Sequence, residues 1–216
     1  MKMLKKAAAV LLAAAMSLTM LTACGGGSGS TTQYKLAKVL AESQQTGKFY
    51  MDVTSLDTTI EGKPMDIKLA QDNKAGKLIL GVGLDGEVYD MYMATSDGTA
   101  YRIYDNEEDV YWQKVASEPM LAVASVAVPS QSNVSKLKVN TAYEYAGKTY
   151  YAEILTSDSV EVAYCFEGDT LKYIVSKQGG YTYAERVNAI SAKFPDKISE
   201  DVDLSYEDAF ALPLRG

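Results

Sequence analysis

From Gly47 to Ser191, short runs of alternating apolar and polar side chains are separated by residues that favour turns. Alternation with a period of two is typical of strands that bury one face. Asp85-Gly86, Asp97-Gly98 and Gly179-Gly180 favour tight hairpins, because glycine readily adopts a positive φ angle. The pattern predicts two antiparallel meanders of about five strands each, interrupted by the segment from residue 117 to 129.

Two helices are predicted, one before each meander. Thr32–Gln45 places its apolar residues on one side, with Thr31 or Thr32 available as a cap at the start and Gly47 at the end. Met120–Val128 is apolar nearly all round. Because a surface helix would carry a polar side, we expect this second helix to be buried or to cover an apolar surface.

These elements predict an α+β fold with one large antiparallel sheet. A sheet of about ten strands has to curl to bury one face, which gives an unclosed half-barrel. We expect the N-terminal helix to precede this sheet and the short apolar helix to lie against its concave face. Residues 33–216 are long enough for one such domain with its own core.

The N-terminus has the layout of a secretory signal peptide. Three lysines precede the nearly uncharged stretch Ala7–Met20, and the run Leu21–Cys24 resembles a bacterial lipobox. We therefore expect residues 1–23 to be a lipoprotein signal peptide and Cys24 to carry the lipid, with two or more acyl chains such as palmitate for stable attachment. The alternative is that Met3–Ala23 stays uncleaved and spans the membrane.

Residues 24–32 predict a lipidated cysteine followed by a flexible linker of Gly, Ser and Thr. About eight such residues have an end-to-end distance of roughly 15 Å, so the domain is expected close to the membrane. Either interpretation of the N-terminus predicts an extracytoplasmic protein anchored to the cell membrane.

The acidic net charge, the absence of histidine and the small number of cysteines exclude several classes of function. Without the three N-terminal lysines, 18 basic side chains face 28 acidic ones, a net charge of −10, which disfavours binding to nucleic acid. The chain has no histidine, which removes Ser-His and Cys-His nucleophile pairs and the usual zinc sites. With Cys24 acylated, Cys165 has no disulfide partner and is expected to be a buried thiol. We expect no enzymatic activity, no metal and no cofactor; the rival is a hydrolase built on lysine and carboxylates.

Five segments are similar in order and composition to those of a known lipoprotein group. They are Tyr34–Leu40, the Asp85-Gly86 hairpin, the Asp97-Gly98 hairpin with Gly98–Tyr101, the Glu167–Ile174 hairpin and the ending Asp208–Pro213. In this order the chain resembles the outer-membrane lipoprotein carrier (LolA-like) superfamily and its lipoprotein relatives. The resemblance implies a half-barrel whose concave side is plugged by a helical segment and whose cavity accepts lipid or acyl chains. The carriers are soluble, whereas the lipobox places this chain with the lipidated branches.

The predicted function is non-covalent binding of an apolar or amphipathic ligand, a lipid or an acyl chain. Methionine lines adaptable apolar sites, although core filling is its ordinary role. The candidate ligand-binding residues are Met91, Met93, Met120, Val123 and Val162.

The alternative is a module without a ligand cavity that binds envelope glycan or a protein. The chain has 16 tyrosines against 4 phenylalanines and 1 tryptophan. Tyrosine suits half-buried sheet surfaces, but exposed rings can also stack on sugars. The tyrosines considered for this role are Tyr89, Tyr143, Tyr145, Tyr150 and Tyr151.

Overall fold

A computed structural model describes residues 34–60, 62–105, 109–116, 134–157, 160–200 and 202–216. The predicted signal peptide, Cys24 with its linker, and the predicted helix Met120–Val128 lie outside these residues.

Most of the described chain is strand. The helices are α1 (Lys35–Thr46) and α2 (Tyr206–Ala211). The strands are β1 (Lys48–Ile60), β2 (Lys63–Asp72), β3 (Lys77–Leu84), β4 (Glu87–Thr95), β5 (Ala100–Asp105), β6 (Val110–Val115), β7 (Lys138–Tyr145), β8 (Lys148–Ser157), β9 (Val160–Glu167), β10 (Thr170–Gln178), β11 (Tyr181–Ser191) and β12 (Leu214–Arg215).

Within the described residues, the strands form a single sheet of twelve in the order β12-β6-β5-β4-β3-β2-β1-β11-β10-β9-β8-β7. Neighbours pair antiparallel, except that the short β12 pairs parallel with β6. The two meanders meet where β1 pairs with β11. The sheet is curled and unclosed, which confirms the predicted α+β half-barrel.

One face of the sheet carries a continuous apolar cluster that includes α1, and we call it the helix face. Leu36 and Leu40 of α1 are 1% exposed and pack into this cluster. Its main sheet members are Phe49, Met51, Val53, Met65, Ile67, Leu69, Leu78, Leu80, Val82, Val162, Tyr164, Phe166, Leu171 and Ile174. The alternation of each strand therefore places its predicted apolar positions together.

The opposite face is divided between two clusters. On β1–β6 the C-terminal segment covers the sheet, and Phe210 of α2 packs with Met93 and Trp112. On β7–β11 the second cluster combines small residues, such as Ala163 and Cys165, with tyrosines. Both faces of the sheet therefore bury apolar side chains, which is why β3 is buried along nearly its whole length.

Trp112 of β6 joins the C-terminal segment to the sheet through two hydrogen bonds. Its indole Nε1–H donates to the carbonyl of Ala209 at 2.7 Å, and its backbone N–H donates to the carbonyl of Pro213 at 2.9 Å. The side chain is fully buried. Buried indole N–H groups need an acceptor, and the last turn of α2 supplies one here.

Candidate functional site

Helix α1 is held at its start by a carboxylate from the sheet. Glu153 of β8 is fully buried, and its two carboxylate oxygens accept the backbone N–H groups of Lys35 at 2.5 Å and Leu36 at 2.9 Å. The first N–H groups of a helix have no partner inside the helix and favour a negative charge. The N-cap residue is Tyr34, whose side chain makes no capping bond. The expected cap at Thr31 or Thr32 is therefore replaced by Glu153, because the helix begins at Lys35.

The side chains around this carboxylate fix the same end of α1. The Tyr34 hydroxyl donates to the carbonyl of Leu137 at 2.9 Å. The Lys35 ammonium donates to the carbonyl of Gly168, pairs with Asp169 at 3.3 Å and lies 4.7 Å from the ring centroid of Tyr151. The start of α1 is thus tied to β8 and to the β9–β10 turn.

The other end of α1 lies at the start of β1. Gly47 adopts a left-handed conformation with φ of 78°, and its N–H donates to the carbonyl of Ser43. The Thr46 hydroxyl contacts the carbonyl of Ala192, just beyond β11. Helix α1 therefore runs obliquely over the helix face. It starts above the middle of β8 and ends beside the first residues of β1.

The burial of the helix face falls with distance from α1 along the strands. On β2, Leu69 is 1% exposed, whereas Ile67 is 7% and Met65 8% exposed. On β9, Phe166 is 2% exposed, Val162 is 7% exposed and Val160 is half-buried. We call this less buried region the far half; it comprises Met65, Ile67, Leu155, Val160, Val162 and Glu185.

Glu185 places a carboxyl group in the far half. It lies on β11 directly opposite Ser55 of β1 and Ile174 of β10, and it is half-buried. Burial raises the pKa of Glu185 to about 7. Burial, with a smaller contribution from the charge of Glu185, also raises the pKa of Tyr164 on β9, so the two groups are close.

The predicted ligand-binding residues do not gather in one place. Val162 lies in the far half of the helix face. Met91 and Met93 lie on the opposite face with Trp112, beneath the C-terminal segment. The reason is the phase of β4, in which Met93 faces the same side as Ile79 and not the side of Leu80. Met91 and Met93 therefore share no site with Val162.

The other predicted site residues lie outside the described part of the chain. These are Met120 and Val123, on the predicted apolar helix, and Cys24, the predicted lipid attachment site.

The five candidate tyrosines also separate. Tyr143, Tyr145 and Tyr150 belong to the β7–β11 cluster on the opposite face, where Tyr143 and Tyr150 are each 6% exposed. Tyr151 lies on the helix face, and only the distant Tyr89 is largely exposed. The described geometry therefore does not combine these five rings into one exposed platform.

Cys165 is buried among these tyrosines and alanines, as predicted. Burial raises the pKa of its thiol to about 11, so it is overwhelmingly protonated at neutral pH.

Among the described residues, no three acidic or cysteine side chains lie close enough to hold a metal ion. No helix in the same part of the chain is both long and apolar enough to cross a bilayer.

Comparisons with known proteins give matches in structure only. No family model and no curated protein matches the sequence. The fold is similar to an uncharacterised conserved protein of Thermus thermophilus, with a TM-score of 0.39 and 6% identity over 77% of this chain and 98% of that one. It is also similar to the lipoprotein LppX of Mycobacterium tuberculosis, with a TM-score of 0.35 and 10% identity over 78% of this chain and 97% of that one.

Proposed function

We propose that this protein is an extracytoplasmic lipoprotein, anchored through Cys24, that binds a lipid or an acyl chain non-covalently in the far half of the helix face. It performs no chemistry on this ligand. The observation that carries the proposal is the unequal burial of the helix face. The side chains beneath α1 are almost fully buried, whereas Leu155 and Val160, beside Val162, are half-buried.

The energetics of this surface favour an acyl chain. Covering apolar surface stabilises a complex by about 25 cal/mol per Å², or about 0.8 kcal/mol for each methylene group. The residues that retain exposure, Leu155 and Val160, are apolar and stand on adjacent strands beside Val162. A flexible chain can lie along such a surface, whereas a soluble polar metabolite would gain little there.

The binding proposal is tested by native mass spectrometry of the mature lipoprotein extracted from its own membrane in a mild detergent. We expect a bound lipid as a mass increment beyond the covalently attached acyl groups. Leu155→Trp, which fills the far half, removes most of this increment. Its matched control, Leu214→Trp, alters an exposed leucine of β12 at the far edge of the sheet and leaves it unchanged. Repeated absence of bound lipid from the unsubstituted protein contradicts the proposal.

The anchor is tested separately by Cys24→Ala. This change removes the acylation site, and we expect the protein to lose its lipid modification and its wild-type level in the membrane fraction. Retention in the membrane at the wild-type level contradicts the lipid anchor and supports the uncleaved-helix alternative. Binding of lipid in the far half does not depend on this outcome.

A further inference from the structure

Glu185 is a titratable group within an apolar surface, and the described fold makes no use of it. Along its row of the sheet it is flanked by Ser55 on β1 and by Ile174 on β10, with Tyr164 beyond on β9. Val187, two residues along β11, also belongs to the helix face. The carboxyl group is thus surrounded mainly by aliphatic and aromatic side chains.

No described positive charge compensates Glu185. Its raised pKa has burial as its cause, with no contribution from a basic neighbour. The titratable group that interacts with it from an adjacent element is Tyr164 on β9. Asp57, farther along β1 than Ser55, accepts the backbone N–H of Ala184, and its charge acts on Tyr145 of the opposite face. None of these groups can neutralise a carboxylate.

A buried carboxylate without a partner is unfavourable, and a ligand can change that balance. A hydroxyl or ammonium group would donate a hydrogen bond to Glu185 and offset its loss of hydration. A carboxylate or phosphate at the same point would bring two negative charges together in a medium of low polarity. The chain as a whole is acidic, with a net charge of −7, and this charge also disfavours an anionic ligand.

We propose that Glu185 selects the ligand by its polar head: the far half accepts amphiphiles whose head donates a hydrogen bond and carries no negative charge. A fatty alcohol and a fatty amine represent this class, and a fatty acid of the same chain length represents the excluded class. The inference rests on the proposed function, because it assumes that an acyl chain occupies the far half.

The test is pairwise competition for the full lipidated protein, read by native mass spectrometry. In one arm oleyl alcohol competes with oleate, and in the other oleylamine competes with oleate, each at equal concentration and at a pH of about 9, well above the pKa of about 7 of Glu185, so that Glu185 and oleate are both ionised and the amine is still protonated. A hydrogen bond to a charged group predicts a preference of about tenfold or more for the alcohol and the amine. Glu185→Gln keeps the size of the side chain and removes its charge, and we expect it to bring both ratios close to one.

Two further variants complete the experiment. Glu185→Met, which removes the polar atoms altogether, also abolishes the preference while oleate still binds. Glu144→Gln alters an exposed carboxyl on β7 and retains the full preference. Equal occupancy by oleate in the unsubstituted protein, or a preference that survives Glu185→Gln, overturns the role of Glu185 and leaves the proposed function intact. If none of the three ligands binds, the proposed function fails as well.

Discussion

Glu153 and Glu185 lie in the same row across the sheet, separated by Tyr164 and Ile174 on the two strands between them. Both carboxyl groups belong to the helix face. Glu153 accepts from the two N–H groups at the start of α1 and from the Tyr151 hydroxyl, whereas no hydrogen bond or ion pair reaches Glu185 within the described residues. One acid therefore stabilises the helix that covers the near part of the face. The other lies in the far half, where we propose that the head of the ligand binds.

Replacing Glu153 should destabilise the fold. In Glu153→Gln the amide retains one acceptor oxygen, so its NH2 group meets one of the helix N–H donors and that donor loses its partner. Hydrogen bonds to charged groups contribute about 1.5–3 kcal/mol, and we expect a loss of that size in the free energy of unfolding measured with urea. Glu144→Gln, at an exposed carboxyl, should change it by less than about 0.5 kcal/mol. Equal effects of the two substitutions would show that Glu153 is not the anchor of α1.

Glu185 should make stability fall as the pH rises. Its pKa is 4.5 unperturbed and about 7 in the folded protein, so the folded state holds the proton more tightly than the unfolded state. The loss of stability caused by ionising Glu185 is absent below pH 4.5, grows between pH 4.5 and 7, and is constant above pH 7. A pKa shift of this size lowers the free energy of unfolding by at most about 3 kcal/mol.

The measurement for this pH effect is urea unfolding of the wild type and Glu185→Gln at intervals between about pH 4.5 and pH 8, a range that spans both pKa values of the residue. The difference in stability between the two proteins isolates Glu185 from the other carboxyl groups. We expect the free energy of unfolding of Glu185→Gln to increase relative to that of the wild type as the pH rises across this interval. A difference that does not vary with pH would mean that the carboxyl group has an ordinary pKa in the folded protein.

The indole hydrogen bond of Trp112 should matter for the C-terminal segment. Trp112→Phe removes the indole donor from the carbonyl of Ala209, which keeps the N–H of Leu212 at 3.4 Å, and opens a small cavity beside Phe210. The loss of one hydrogen bond costs about 0.5–1.5 kcal/mol, to which the lost packing adds. Thermal unfolding followed by circular dichroism measures the loss. A melting temperature equal to that of the wild type would contradict the observed contact.

Thiol titration tests both cysteines at once. Because Cys165 is buried and its thiol is protonated, Ellman's reagent at a pH of about 8 should react with it slowly in the native protein and rapidly in denaturant. The denatured mature protein should show one thiol per chain, since an acylated Cys24 does not react. Two thiols per chain would show that Cys24 is not modified.

The sequence identified most of the sheet because its strands alternate clearly. The β3–β4 hairpin at Asp85-Gly86 and the end of α1 at Gly47 were predictable from local chemistry, with φ angles of 54°, 88° and 78° at Asp85, Gly86 and Gly47. β6 and α2 were not predicted. β6 lies between an acidic cluster and the predicted buried helix, and the six-residue α2 lies in an acidic C-terminal segment. Both are stabilised by contact with each other through Trp112, which is 97 residues from Ala209.

The candidate site was less predictable than the fold. Alternation places Met93 and Leu80 on different sides of the sheet, but it cannot say which side receives α1. The cap at Glu153 joins residues 117 and 118 apart in the chain, so no local pattern reveals it. A signal was nevertheless present, because Glu153 and Glu185 each place a carboxyl group at an apolar position of an alternating strand.

The attachment of α1 to Glu153 also defines how mechanical load enters the domain. A pull from the proposed anchor would reach the described part of the chain at Tyr34 and Lys35, whose bonds transfer it to Leu137, Glu153 and the β9–β10 turn. β8 is paired on both sides, with β7 and β9, so the tension spreads over two ladders of hydrogen bonds. If Cys24 anchors the protein as proposed, this load path opposes unfolding that starts from α1.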